Sequence, residues 1–367
     1  MISLLGSFSS VMMSFLYIVL AIVILMFMIT VHEFGHYTAG KIFKFKIYEF
    51  SIGFGKALFK KTKKNGEVFA IRLIPLGGYC AFGEDEEDTD PNAFNNQAWW
   101  KRVIVLASGA LFNFLSAILF CVILLSVVGS GQSEITSVTP GNANDLRVGD
   151  VVTRIDGKKS TFLNGGFRGL TSKVNDDTTK IVLTVERVVD GKKQTIEVPV
   201  YKKLVELTDE NGVVITNDDG TPVTGYQIGV TTAYHNFSFG RSLLKAVPFA
   251  FELAWECLVI LGKLLIGQYG LRDIGGPITT VTQIAKASSQ SMLNLLLLIP
   301  LIAVNLAVFN LLPIPALDGA RIVFVLIEAI RHKPVNKDIE AKIHTVGIIV
   351  LFAFVILVDF LQMVVFR

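Results

Sequence analysis

Four stretches of this chain are long and apolar enough to cross a lipid bilayer: Val11 to Val31, Val103 to Val128, Met292 to about Leu312, and His344 to Val365. Hydrocarbon offers a backbone amide no partner, so each stretch is predicted to be a helix. With 51% hydrophobic and 18% charged residues among 367, the chain is a polytopic membrane protein and not a soluble enzyme. A net charge of +3 gives no reason to expect nucleic acid. The basic residues instead report topology. They gather between the first two stretches, from Lys41 to Arg102, and between the last two, from Arg331 to Lys342. The positive-inside rule assigns both loops to the cytoplasm, and both termini and the polar segment Gly131 to Phe239 to the outside. Cys80, Cys121 and Cys257 are an odd set with one member inside a span, so they read as small apolar fillers and imply no disulfide framework. The N-terminus lacks a basic region and a clear cleavage site, so the first span is expected to be retained.

No charge occurs from Val11 to Val31, and then His32-Glu33-Phe34-Gly35-His36 follows at once. Ionisable groups at membrane depth are costly and usually mark function. On a helix His32 and His36 share one face and can hold one zinc ion, while Glu33 stays available as a general base toward water. The bland alternative is that both histidines reach for the interface and Glu33 pairs with Lys41 or Lys44. Such a site still needs a third protein ligand. Asp318 can supply it, from Phe309-Asn-Leu-Leu-Pro-Ile-Pro-Ala-Leu-Asp-Gly319 at the inner end of the third span, where Pro313 and Pro315 stop the helix. The first and third spans run in the same direction, which brings both motifs to matching depth. Asp318 could otherwise cap the next helix. Asn310 is a candidate clamp on a substrate backbone or an oxyanion partner, or else the cap of the broken helix.

Between the first two spans, Ile47 to Ile52, Ala57 to Thr62 and Glu67 to Leu73 read as short strands with turns at Gly53, Gly55, Asn65 and Gly66. They are expected either to form a β-loop dipping toward the site or to make a peripheral hairpin. The acidic run Glu84 to Asp90 reads as a solvated segment. Trp99 and Trp100 beside Lys101 and Arg102 mark the interface where the second span begins. Gly109 and Asn113, one turn apart, suit close helix packing with a polar group turned inward, whether for an interhelical hydrogen bond alone or for the site. The segment Ala246 to Ile266 carries Glu252, Glu256 and Lys263. Crossing the membrane there would invert every later span, so it reads as an interfacial or half-inserted amphipathic helix.

In the outer segment, Glu134 to Gly141 and Leu146 to Gly157 suggest a strand, a short helix and a second strand. Ile181 to Arg187 and Gln194 to Val200 flank Asp190-Gly191 as a hairpin. Asp209 to Thr224 reads as a polar hairpin extension. This arrangement resembles a bacterial, permuted PDZ domain, which serves either as a spacer or gate or to capture peptides by strand addition.

His32-Glu-Phe-Gly-His36, Ile74-Pro-Leu-Gly-Gly-Tyr79, the PDZ-like insert and Asn310 to Gly319 together resemble the site-2 protease family, over nearly the whole chain. The resemblance implies an intramembrane zinc metalloprotease with one zinc on His32, His36 and Asp318 and with Glu33 as base. It also implies a loop around Ser51, Gly53, Gly55, Gly77 and Gly78 that pairs with an unwound substrate. Its substrates would be single-span membrane proteins such as anti-sigma factors or signal-peptide remnants. Lys56, Ser108-Gly109-Ala110 and Ala320 depart from the usual family pattern near the loop and motifs, and leave the metal set intact.

The expected architecture is a mostly α-helical polytopic membrane protein with four transmembrane helices, a membrane-associated β-loop and an inserted extracytoplasmic α+β PDZ-like domain. Its parts are a first membrane half (1–130), the PDZ-like domain (131–203), a β extension and linker (204–240), an interfacial segment (241–291) and a second membrane half (292–367). The expected location is the cytoplasmic membrane, with the active site near its inner side. Two other classes compete: a divalent-metal transporter, since intramembrane His, Glu and Asp also mark ion pathways, and a non-catalytic PDZ scaffold.

Overall fold

The computed structural model describes residues 2–83, 90–129, 132–139, 145–160, 166–172, 174, 176–207, 214–217, 219–235, 237–268, 270 and 275–365. The acidic run 84–89, the short helix expected after Pro140-Gly141 and the Asn211-Gly212 turn lie wholly or largely outside these residues. The chain forms two compact units, residues 1–121 with 246–367, and residues 122–245.

In the first unit, helix α1 (Ile2–Ile42) leads into strands β1 (Ile47–Thr62) and β2 (Val68–Phe82), and helix α2 (Trp99–Val128) follows, its end from Val122 onward belonging to the second unit. Among the described residues, four helices are long and apolar enough to cross a membrane: Met12–Ile42 within α1, Trp99–Val128, Leu293–Asn310 and Lys337–Val364. The three short strands expected between the first two spans are here two long, bent ones. Gly53 and Gly55, at φ +86° and +80°, act as bends within β1 and do not break it. Beyond the bend, Ala57 to Thr62 pairs antiparallel with Arg72 to Val68. Before it, Glu49 to Ile52 pairs on one side with Ala81 to Gly78 and on the other with Val68 to Ile71. A buried ionic cluster ties this β-loop to α1. Glu67 accepts hydrogen bonds from Lys41, from Lys63 Nζ at 2.7 Å and from Tyr37 Oη at 2.9 Å. Lys41 is therefore engaged by Glu67, and the pairing with Glu33 offered by the bland alternative is not made.

In the second unit, β3 (Ser133–Val138), β4 (Val151–Ile155), β5 (Lys158–Lys159), helix α3 (Gly166–Thr171), β6 (Ile181–Val189), β7 (Lys192–Val200), β8 (Lys203–Glu206), β9 (Thr224–Gln227) and β10 (Val230–Tyr234) follow in order. The sheet order is β10-β3-β4-β6-β7, with β5 on β4 and a separate β8-β9 pair. Alternation along β6 and β7, with a register shift after Val152 in β4, places Val152, Ile155, Leu183, Val185, Val198 and Val200 in one core. Asp190 and Gly191 both have positive φ, +51° and +74°, as a two-residue β6-β7 hairpin requires. Arg187 holds Asp150 with two hydrogen bonds of 2.7 Å, a buried bidentate pair. Strand β10, from the stretch read as extension and linker, is an edge strand of this sheet, with Tyr234 opposite Ser133.

The rest of the first unit comprises α4 (Phe239–Leu265), which crosses from one unit into the other, then α5 (Pro277–Gln290), α6 (Met292–Asn310), α7 (Asp318–Arg331) and α8 (Lys337–Val364). Helix α4, with Glu252, Glu256 and Lys263, is not among the four candidate spans. Asp359, the charge inside the last apolar stretch, closes the start of α5. It accepts from the backbone of Ile278 and Thr279, both at 3.0 Å, and from the Thr279 hydroxyl at 2.7 Å. A carboxylate from another helix thus satisfies amides that Gly276, the N-cap, has no side chain to reach.

Candidate metal centre

Two glycines let the two helices of the site approach. A Cβ on Gly35 would stand 2.3 Å from the Ser108 carbonyl oxygen, so α1 and α2 cross with backbones in contact. One turn of α1 separates His32 from His36, and both rings turn toward Gly109 of α2. A Cβ on Gly109 would fall 2.4 Å from His36 Nε2 and 2.7 Å from His32 Nε2. Asp318 arrives from the start of α7. Its Oδ2 is 2.9 Å from His32 Nε2 and 3.3 Å from His36 Nε2, and the two Nε2 atoms are 3.2 Å apart. Zinc bonds of about 2.0–2.1 Å set tetrahedral ligands about 3.3 Å from one another. These three donors form a triangle of nearly that size, on which one ion fits.

The outer nitrogens of both rings are addressed from α2. His36 Nδ1 is 2.8 Å from the Val105 carbonyl, to which it donates, and this leaves the Nε2 lone pair for the ion. Asn113 brings its amide to 3.3 Å from His32 Nδ1, while its own Oδ1 has no hydrogen-bond partner. A half-turn of that amide puts Oδ1 on the ring N–H and satisfies both groups. That is the arrangement a His32 ligating through Nε2 requires. The donor set therefore suits zinc.

Asp318 is the first residue of α7, and the N-cap position belongs to Leu317, which makes no side-chain cap bond. The carboxylate is directed to the histidines and does not cap its helix. Glu33 lies off the triangle. Its carboxylate accepts the backbone N–H of Cys80 on β2, and Gly78 packs close by, so that a Cβ there would be 3.4 Å from Glu33 Cγ. The loop residues divide. Ser51 is fully buried, paired in register with Ala70 and Tyr79 on its two sides, and its hydroxyl accepts from Arg72 Nε at 2.9 Å. Arg72 also donates to the Gly55 carbonyl at 2.7 Å and to Glu49 at 2.6 Å. Ser51 and Gly55 thus brace the loop. Gly77, at φ +134°, and Gly78 begin the outer segment of β2 beside Glu33, and Gly53 forms the bend opposite them. Asn310 is the last residue of α6, and among the described residues its side chain caps nothing.

The sequence model of peptidase family M50 matches residues 20–354. The chain belongs to this family of site-2 proteases. It is 30% identical to a Fusobacterium nucleatum protein provisionally named a zinc metalloprotease, over 93% of this chain and 96% of that one. A Helicobacter pylori protein with the same provisional name is 31% identical, over 90% and 94%. The regulator of sigma E protease of Haemophilus influenzae is 26% identical over 96% of this chain and all of its own length. The M50 peptidase is accordingly a zinc metalloprotease and an integral membrane protein. Residue reading missed the Val105 carbonyl, which no side chain announces, and the Glu67 cluster. The spacing of Gly109 and Asn113 was the visible sign of how α2 serves the histidines.

Proposed function

We propose that this M50 peptidase cuts single-span membrane proteins, such as anti-sigma factors or signal-peptide remnants, at bonds within or near their transmembrane segments. His32, His36 and Asp318 hold the zinc and Glu33 is the base. The observation that carries the reading is the zinc-sized triangle of donors, two on a helix of membrane length and the third at the start of α7, with a carboxylate beside it that is not part of the triangle. The bound ion's contribution is Lewis acidity toward the scissile carbonyl and toward water. The Glu33 carboxylate takes the proton of the attacking water and passes it to the leaving amine. A helical substrate has its carbonyls bonded within the helix and must first unwind. The outer segment of β2 from Gly77 onward offers an edge to the unwound strand. Asn310 is proposed as a further hydrogen-bond partner of the substrate.

The catalytic centre is taken to lie near the cytoplasmic face, with the polar segment 131–239 outside, as the basic loops suggest. Within it, residues 131–203 are read as PDZ-like. A groove lined by Phe167, Thr171, Lys202, Ile228 and Thr231 adjoins the β10 edge strand, which supports peptide capture there. The test is to incubate the purified protein with a truncated single-span substrate, with and without a zinc chelator, and to repeat it with Glu33→Gln. Cleavage is expected to stop under each treatment. Cleavage that persists under both defeats the proposal, and zinc uptake by Glu33→Gln vesicles points to a transporter.

A further inference from the structure

The aspartate ligand hangs on a loop whose shape its own sequence does not favour. Ala316, two residues before Asp318, has φ +85°, a left-handed conformation that a residue with a Cβ rarely holds. Pro315 precedes it, and Gly319 follows the ligand. A Cβ on Gly319 would come within 2.2 Å of the Leu312 carbonyl, so the turn from α6 into α7 is as tight as glycine permits. Within the loop, Pro315 and Ala316 are the central pair of a turn closed by the Leu317 N–H on the Ile314 carbonyl at 3.1 Å, and contacts from outside the loop add to that one bond in holding Ala316 in a conformation its Cβ disfavours.

Helix α8 meets the loop at two points one turn apart. His344 Nδ1 accepts the Ala316 N–H at 3.1 Å. Gly347 lies against Pro315, where an added Cβ would be 2.2 Å from Pro315 Cβ and 3.0 Å from its carbonyl carbon. The His344 ring also packs on Phe324 of α7, with centroids 5.6 Å apart, so it touches both the loop and the helix that begins at Asp318. We propose that His344 is a positioning residue for the metal: by holding the Ala316 N–H it fixes the strained turn and sets the Asp318 carboxylate against His32 and His36. The last membrane helix thereby acts on a ligand it does not touch. This inference rests on the reading of Asp318 as a zinc ligand.

Zinc affinity of the purified full chain, measured by competition with a chromophoric chelator, tests it without reference to proteolysis. Asp318→Ala is the control for the underlying reading, which fails if that variant binds zinc like the wild type. His344→Leu removes the acceptor and keeps the bulk. It is expected to weaken zinc binding by about tenfold to a hundredfold, as other outer-shell losses do. His344→Asn puts a carbonyl oxygen close to the former Nδ1 position and is expected to restore most of the affinity. Ala316→Gly in the His344→Leu background is expected to do so as well, because glycine adopts a positive φ without help. In the cobalt-substituted protein, the visible absorption of His344→Leu should shift from that of the wild type and return in both rescued forms. Wild-type affinity in His344→Leu while Asp318→Ala has lost binding overturns the proposal, as does a loss that neither rescue repairs. Should His344→Leu not fold, Gly347→Ala displaces Pro315 with His344 intact. Its affinity must then fall and recover with Ala316→Gly, and an unchanged affinity overturns the proposal equally.

Discussion

Gly109 shows how little of the proposed metal site consists of ligands. Its missing side chain is the space on which both histidine Nε2 atoms converge, and a methyl group would lie 2.4 Å from one of them. Gly109→Ala should raise helix propensity by up to about 1 kcal/mol. It should nonetheless lower zinc affinity more than about tenfold, with expression and insertion unchanged. Equilibrium dialysis against zinc measures the loss, and full occupancy in the variant would contradict the geometry. Asn113 makes a second case. If its oxygen accepts from His32, Asn113→Leu should weaken zinc binding about 10–100-fold while Asn113→Asp stays closer to the wild type. Equal losses in the two variants would assign Asn113 to helix packing alone. At this scale the proposed ligands His32, His36 and Asp318, and Glu33 beside them, stand out in the sequence, because ionisable groups beside apolar spans are too costly to be incidental. The Val105 carbonyl and the positive φ of Ala316 do not. Every residue has a carbonyl, and nothing in the letters Pro-Ala-Leu-Asp marks a left-handed alanine.

Helices and strands of the first unit are joined by ions as well as by packing. Glu67 is 2% exposed at the turn of the β-loop and bonds Lys41, one turn beyond His36 on α1, so it fixes the loop to the helix bearing the histidines. Burial pushes its carboxyl up, but the hydrogen bonds from Lys41, Lys63, Tyr37 and Asn65 more than reverse this and hold it at about 2, below the ordinary 4.5. A depressed carboxylate stabilises the fold above its unfolded value and ceases to do so as pH falls through the folded one. The cluster therefore contributes fully above about pH 5 and fades toward pH 2. Glu67→Ala should lower stability by about 1–3 kcal/mol at neutral pH and flatten the acid limb of the wild-type profile. Thermal melts in detergent across that range check both, and parallel acid limbs would count against the cluster. The loop's existence was legible in its alternation and glycines. Its pairing was not, since the double partnering of Glu49 to Ile52 depends on contacts about 20 to 30 residues away that no local pattern encodes.

For the molecule as a whole, the four apolar stretches announced the membrane helices, because spanning a bilayer is a constraint of length and composition alone. The extent of the second unit was harder to read. Strand β10 belongs to its sheet, although a polar stretch separates it from the other strands, and closing a sheet with a distant strand leaves no mark on either. That closure permits a test of what the unit does. Ser133 and Tyr234 face each other in register, so the chain can be cut there and rejoined by a short Gly-Ser linker, since paired residues lie only about 5 Å apart. A chain lacking residues 134–233 should still insert and bind zinc, because every proposed ligand lies in the other unit. If the groove beside β10 captures peptide, it adds binding that is equal in the ground and transition states. The excised protein should then cut a truncated single-span substrate with a raised KM and an unchanged kcat. A lowered kcat at constant KM would instead tie the unit to chemistry. New cleavage of substrates that still carry a folded outer domain would make it a gate that selects by size.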